Sequence, residues 1–184
     1  MLVCAAHDID CYVDGMGTRV TELLRSHPGY LRDADAFGRA VSNARTVSNP
    51  GQRERIAAKN TVIVTTSGML DGGPAMTYVP AVRGHPGNTI AFTGFQVPGT
   101  PGRELLDTGR ATIDGQVTPV SARVAQYDFS AHADRRGLLA FLDSYRDATV
   151  LVGHGDRCPA FAAALRAEGH DASAPALAET VEIA

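Results

Sequence analysis

At 184 residues, with 44% hydrophobic and 20% charged side chains, the chain suits one generous domain or two small ones and is apolar enough to pack a core. Its formal net charge of −3 excludes a general electrostatic pull toward nucleic acid or acidic membranes, so any such partner has to be recognised locally. Cys4, Cys11 and Cys158 lack CxxC spacing, which argues against a disulfide framework or a zinc ribbon; with no membrane-length apolar run and no signal-peptide pattern, a cytoplasmic protein without membrane association is expected.

Asp10–Val13 reads as a short buried strand ended by the turn Asp14-Gly-Met-Gly17. Thr18 is placed to cap a helix with Val20, Leu23 and Leu24 on one face, stopped by Pro28-Gly29. A short helix around Phe37–Val41 follows, and Ser48-Asn-Pro50 looks like the cap of another over 51–58, with its arginines facing solvent. Lys59 is the only lysine; arginine suits planar contacts to phosphate or carboxylate, and a GC-rich genome produces the same bias.

Thr61–Thr66 is the clearest strand, apolar enough for the inside of a parallel sheet. It runs into the Gly-rich Ser67–Pro74 and a helix over 75–82. Strand, Gly-rich turn and helix can aim backbone N–H groups at an anion, or can be a tight connection that simply needs glycine. The strand at 88–95 repeats the theme with the loop Gln96–Arg103, suggesting a cleft at the C-terminal edge of the sheet, where Arg103 is best fitted to grip a phosphate.

After Gly109 the style changes. Ala111–Gln116 looks like a hairpin turn, residues 117–129 alternate as β structure, and an amphipathic helix over 135–145 turns Leu138, Leu139, Phe141 and Leu142 inward. A strand at 149–152, an alanine-rich helix over 159–168 and a last strand at 180–183 complete the chain. The fold class is α/β, with a parallel portion over 1–108 and a mixed portion over 109–184.

Two segments, Tyr127–Asp134 and Thr149–Asp156, each carry a β-type run to a small residue and a histidine. A single histidine after a strand is more often a packing or capping residue. Ser130, His132 and Asp134, however, alternate along one extended segment and so share a face.

Together, Tyr12-Val-Asp-Gly-Met16, Ser67-Gly-Met-Leu70 with Gly72-Gly-Pro74, Gly94-Phe-Gln96 with Gly99-Thr100 and Gly102-Arg103, Phe129–Asp134, His154-Gly-Asp156 and Val181–Ile183 resemble the β-CASP branch of the metallo-β-lactamase superfamily. Its members are zinc-dependent ribonucleases, including the pre-mRNA 3′-end cleavage nuclease and RNase J-type enzymes. The resemblance implies the distal part of a β-CASP parallel α/β domain over 1–108, followed over 109–184 by the C-terminal return into a metallo-β-lactamase αββα core. It implies that His154 ligates one of two zinc ions and that His132 faces the scissile phosphate and assists the leaving group. Ser67, Gly68, Gln96, Thr100, Arg103 and Ser130 would contact the phosphate chain of RNA. A two-zinc centre supplies hydroxide at neutral pH and balances the charge of the pentacoordinate phosphate, and an imidazole then protonates the departing oxygen.

The superfamily signature HxHxDH is absent, and the candidate donors are His132, Asp134, His154 and Asp156. The expectation is therefore a nuclease C-terminal half, inactive alone, whose partners are RNA and an N-terminal metallo-β-lactamase half on another chain, or a second copy of itself. The alternatives are a non-catalytic RNA-binding or regulatory relative, and an unrelated α/β protein using its Gly-rich loops for a nucleotide. His7, His27, His85 and His170 match no motif and read as surface or structural residues.

Overall fold

A computed structural model describes residues 1–129 and 133–182. The chain divides into two compact units, up to residue 130 and from residue 131.

In the first unit, α1 (Leu2–Ala6) precedes β1 (Cys11–Val13), all three of whose residues are buried. A strand covered on both faces needs such an unbroken apolar run. The chain then turns at Gly15 (φ +69°), which caps α2 (Met16–Ser26). A Cβ at position 15 would sit 2.4 Å from Thr66 Oγ1, so glycine is required there. The expected cap, Thr18, lies inside α2, and its hydroxyl donates to Val13 O. Met16, Val20 and Leu23 leave the apolar stripe of α2 exposed.

Asp33 caps α3 (Ala34–Asn43), its carboxylate accepting from Ala36 N at 2.8 Å. The chain continues into β2 (Ala44–Thr46), a 3-10 turn at Pro50–Gln52 capped by Asn49, α4 (Arg53–Ala57) and β3 (Val62–Val64). β1 is central and pairs in parallel with β2 and β3, placing Tyr12 opposite Arg45 and Ile63. Expected inside a sheet, β3 instead borders this three-stranded one, with Val62 and Val64 exposed.

Next come α5 (Ala75–Val82), β4 (Thr89–Phe92) and α6 (Pro101–Thr108). The expected hairpin forms between β5 (Arg110–Ile113) and β6 (Gln116–Pro119), with Asp114 and Gly115 both at positive φ, the geometry that matches strand twist. β7 (Arg123–Gln126) returns parallel to β4. Ile90, Phe92, Leu105 and Ile113 lead the main core; Tyr12, Val47, Ile56 and Tyr78 form a smaller one. Burying each large apolar side chain contributes roughly 1.5–3 kcal/mol.

The second unit contains α7 (Arg135–Leu142), β8 (Val150–Leu151), α8 (Cys158–Ala167) and β9 (Ala172–Ser173), with β8 and β9 parallel. The expected last strand at 180–183 is absent over 180–182, and Ile183 lies outside the described residues; Ala172–Ser173 takes the pairing position beside β8. Phe141, expected inward, is exposed and packs on Tyr145 at 5.1 Å. Among the described residues no helix is long and apolar enough to cross a membrane.

Candidate functional site

The C-terminal ends of β1, β3 and β4 are joined by polar and glycine contacts. Asp14, directly after β1, is 2% exposed. It accepts Arg53 Nε at 2.8 Å, Arg53 Nη2 at 3.2 Å, Tyr78 Oη at 2.8 Å and Gly15 N at 2.6 Å. Burial works against the charged carboxylate, yet the hydrogen bonds from Arg53, Tyr78 and Gly15 outweigh it and hold Asp14 below the usual carboxylate range. Burial, and then the Asp14 hydrogen bond, push the Tyr78 phenol well up. Arg53 was expected to face solvent; instead it ties α4 to β1. The only sequence signal for this network was a carboxylate directly following a fully apolar strand, a position that requires a partner.

The two Gly-rich loops dock on each other. Gly102 N donates to Met69 O at 2.8 Å, and a Cβ at 102 would lie 2.2 Å from Gln96 Oε1 and 3.0 Å from Gly68 O. Gln96 is buried and its Oε1 finds no donor among the described residues. The Ser67 hydroxyl donates to Asp71 and its oxygen accepts from Met69 N. Gly68 has open space where a Cβ would stand.

Of the two alternatives for the strand–turn–helix junctions, the first-turn amides favour the tight connection. Ala75 N donates to Thr66 O, Met76 N to Gly73 O and Thr77 N to Pro74 O. At α6, Pro101 has no N–H, Gly102 N is taken by Met69 O, and Arg103 N donates to Thr100 Oγ1. Thr100 is thus a helix cap, its own hydroxyl donating to Val97 O at 2.7 Å. The Arg103 guanidinium pairs with Asp107 at 2.8 Å, which raises its pKa further. The structure therefore brings Ser67, Gly68, Gln96, Thr100 and Arg103 into one docked loop pair.

In the second unit, His154 occupies an exposed turn after β8 at φ +61°, an uncommon conformation for a residue other than glycine. Cys158 Sγ donates to Gly155 O at 3.0 Å and pins this turn to α8. An open cavity of about 600 Å³ is lined by Leu138, Val150, Val152, His154, Cys158 and Phe161. Asp134 caps α7, accepting Gly137 N at 2.7 Å. Ser130 and His132 lie outside the described residues. Just before them, in the first unit, Tyr127 and Phe129 stack at 6.0 Å, as same-face i, i+2 neighbours do. His170, read as surface or structural, is buried, with Nδ1 unpartnered among the described residues.

Among the described residues no three His, Cys, Asp or Glu side chains converge on a metal position. A hydrolytic zinc ion takes three protein ligands and keeps one position open. Among the described residues, His154 is thus joined by fewer donors than such an ion takes.

A family model described as the Beta-Casp domain matches residues 4–105, and one described as the Zn-dependent metallo-hydrolase RNA specificity domain matches residues 117–175. Probable RNase MJ4 of Methanocaldococcus jannaschii is 29% identical over 191 residues, covering 100% of this chain and 45% of its own length. RNase aCSPSF2 of Saccharolobus solfataricus is 34% identical over 78% of this chain and 29% of its own length. Transcription termination factor FttA of Cenarchaeum symbiosum is 37% identical over 79% of this chain and 26% of its own. The chain thus spans less than half the length of each of these relatives.

Proposed function

The chain belongs to the β-CASP family of the metallo-β-lactamase superfamily, and on that premise we propose that it is the C-terminal portion of a cytoplasmic zinc-dependent ribonuclease that hydrolyses RNA phosphodiesters and is like mRNA 3′-end processing factors. The observation that carries the reading is the order of the two family segments, a Beta-Casp match followed by an RNA specificity match within one chain. The division near residue 109 into a partial β-CASP domain and a return segment belongs to the same proposal. So do the assignments of His154 as the zinc donor this chain contributes, His132 as the acid–base group, and Ser67, Gly68, Gln96, Thr100, Arg103 and Ser130 as phosphate contacts. The exposed position of His154 on the loop after β8, lining an open cavity, supports its assignment. Alone the chain does not hydrolyse RNA in this reading, since its sequence carries no HxHxDH signature. It acts with RNA and with a metallo-β-lactamase portion carrying HxHxDH.

A second reading, a non-catalytic RNA-binding or regulatory relative, is favoured by the pairing of Arg103 with Asp107 and by the occupied helix-terminal amides. One experiment separates the two: a chimera in which these 184 residues replace the matched region of RNase MJ4. Zinc binding with RNA cleavage, and loss of zinc and activity in His154→Ala, is the expected result. A folded chimera that binds RNA without zinc or cleavage establishes the second reading, and cleavage by the isolated chain overturns the claim of inactivity.

A further inference from the structure

Tyr12, Arg45 and Lys59 meet at one oxygen. Tyr12 and Arg45 are register partners on β1 and β2, and Lys59 lies between α4 and β3. Tyr12 packs with Val47, Ile56 and Tyr78 and is 6% exposed, while Arg45 and Lys59 are exposed. Lys59 Nζ donates to Tyr12 Oη at 2.8 Å, and Arg45 Nη1 donates to it at 3.1 Å. Neither cation can accept a hydrogen bond, so the phenol oxygen accepts twice and its own proton is left to donate. Among the described residues no acceptor takes that proton. The hydrogen bonds from Lys59, then Arg45, hold the Tyr12 phenol below its ordinary pKa and polarise its O–H.

The charges around this oxygen do not balance. Two nitrogens bonded to one atom at these distances lie within about 6 Å of each other, close enough for like charges to repel. Asp10 faces Arg45 Nη2 at 3.3 Å, and among the described residues no carboxylate pairs with Lys59. Two cations against one carboxylate leave a net positive charge beside an O–H that nothing accepts. A brace for the buried ring needs one donor. A second cation on the same oxygen adds repulsion unless an anion offsets it.

We propose that the Tyr12 hydroxyl, the Lys59 ammonium and the Arg45 guanidinium bind a terminal phosphate group, either inorganic phosphate or the phosphate of a mononucleotide. The cluster offers three donor groups, two of them charged, and a terminal phosphate presents three unesterified oxygens where an internal phosphodiester presents two. The site lies where the parallel strands start: Asp10 directly precedes β1 and Lys59 precedes β3, whereas the Gly-rich loops leave the other ends of β3 and β4. It shares no residue with the loops proposed above to contact RNA, and it does not rest on the ribonuclease reading.

Lys59 is the only lysine in the chain, so isotope-labelled lysine gives one side-chain NMR signal that reports this site alone. Titrating the 184-residue chain with inorganic phosphate at constant ionic strength should move that signal to saturation. Uridine monophosphate in a parallel titration distinguishes the two sources: saturation by both admits a nucleotide, and saturation by phosphate alone assigns the site to the free anion. Dimethyl phosphate, a diester, should bind at least about fivefold more weakly. Tyr12→Phe keeps the ring and removes the O–H, and Arg45→Gln removes a charge; each should weaken phosphate at least about fivefold. Asp10→Asn removes the carboxylate that competes for Arg45 and should tighten phosphate about threefold, a gain that a bracing role does not produce. The Asp10 side chain is exposed, so this variant still decides the matter if Tyr12→Phe fails to fold. A Lys59 signal that moves no more with phosphate than with chloride overturns the site, as does unchanged affinity in Asp10→Asn. Equal binding of dimethyl phosphate overturns the terminal-phosphate assignment, and undiminished binding in Tyr12→Phe and Arg45→Gln overturns the donor set.

Discussion

Asp14→Asn is the sharpest test of how the first unit is held together. The substitution keeps shape but removes the charge that Arg53 faces, and it sets an amide where Tyr78 and Arg53 both need an acceptor. Breaking a buried ion pair from one side costs about 3–5 kcal/mol. The Arg53 side chain is 21% exposed and recovers some hydration, which brings the expected loss to about 3 kcal/mol. For a unit of this size that is a fall in Tm of about 10 °C at pH 7. The pH dependence has a definite sign. The folded pKa of Asp14 is held below the ordinary aspartate value of 3.8, so its contribution is fully present above pH 3.8 and is lost as pH falls through the folded value. Thermal melts followed by circular dichroism from pH 7 down to about 3 should therefore show a gap between wild type and variant that narrows only in the acid range. Equal melting at neutral pH, or a gap that does not narrow on acidification, refutes the network as described.

Gly102→Ala should destabilise by about 1–3 kcal/mol, because the new Cβ meets Gly68 O at 3.0 Å and Met69 O at 3.1 Å, both of them backbone; hydrogen exchange at the Gly102 amide reports the loss of loop docking. Tyr78→Phe should cost about 1 kcal/mol by denaturant unfolding, since it removes one of four hydrogen bonds to Asp14 and leaves the other three. Arg103→Ala should leave Tm unchanged, because its partner Asp107 is exposed; if Arg103 tracks phosphate, the salt slope of RNA binding by fluorescence anisotropy falls by about one.

The strands β1, β4 and the β5–β6 hairpin were legible in sequence because their determinants are local. Cys11–Val13 is an unbroken apolar run, and Asp114-Gly115 can both adopt positive φ. The family was legible for a different reason, the order and spacing of many short motifs. What escaped was non-local. Nothing beside Arg53 in the chain reveals that its partner is Asp14, 39 residues earlier. Thr18 looked like a cap because its type is right, but the close approach of Thr66 demanded glycine at 15 and moved the helix start. The strand at 180–183 had suitable residues, yet Ala172–Ser173 pairs with β8. Whether Val62–Val64 lies inside or at the border of a sheet depends on neighbours that strand composition does not specify.

The same distinction bears on where chemistry can reside. An anion site at a helix start requires amides that are free, and sequence shows only that glycines are present. In this protein Thr66, Met69 and Gly73 carbonyls accept those amides; the glycines at 73 and 102 let backbones come that close, and the one at 15 admits the Thr66 side chain. The two loops of the first unit are joined by the Gly102 amide on Met69 O and the Val97 amide on Met69 Sδ, and the helix-terminal amides beside them are taken. In the second unit the balance is reversed: His154 stands exposed on a turn pinned by Cys158 and lines an open cavity. On the proposed function, with the helix-terminal amides of the first unit taken, metal chemistry falls to the exposed histidine of the second. It makes His154, rather than the glycine loops, the position where a substitution should alter metal binding without altering Tm.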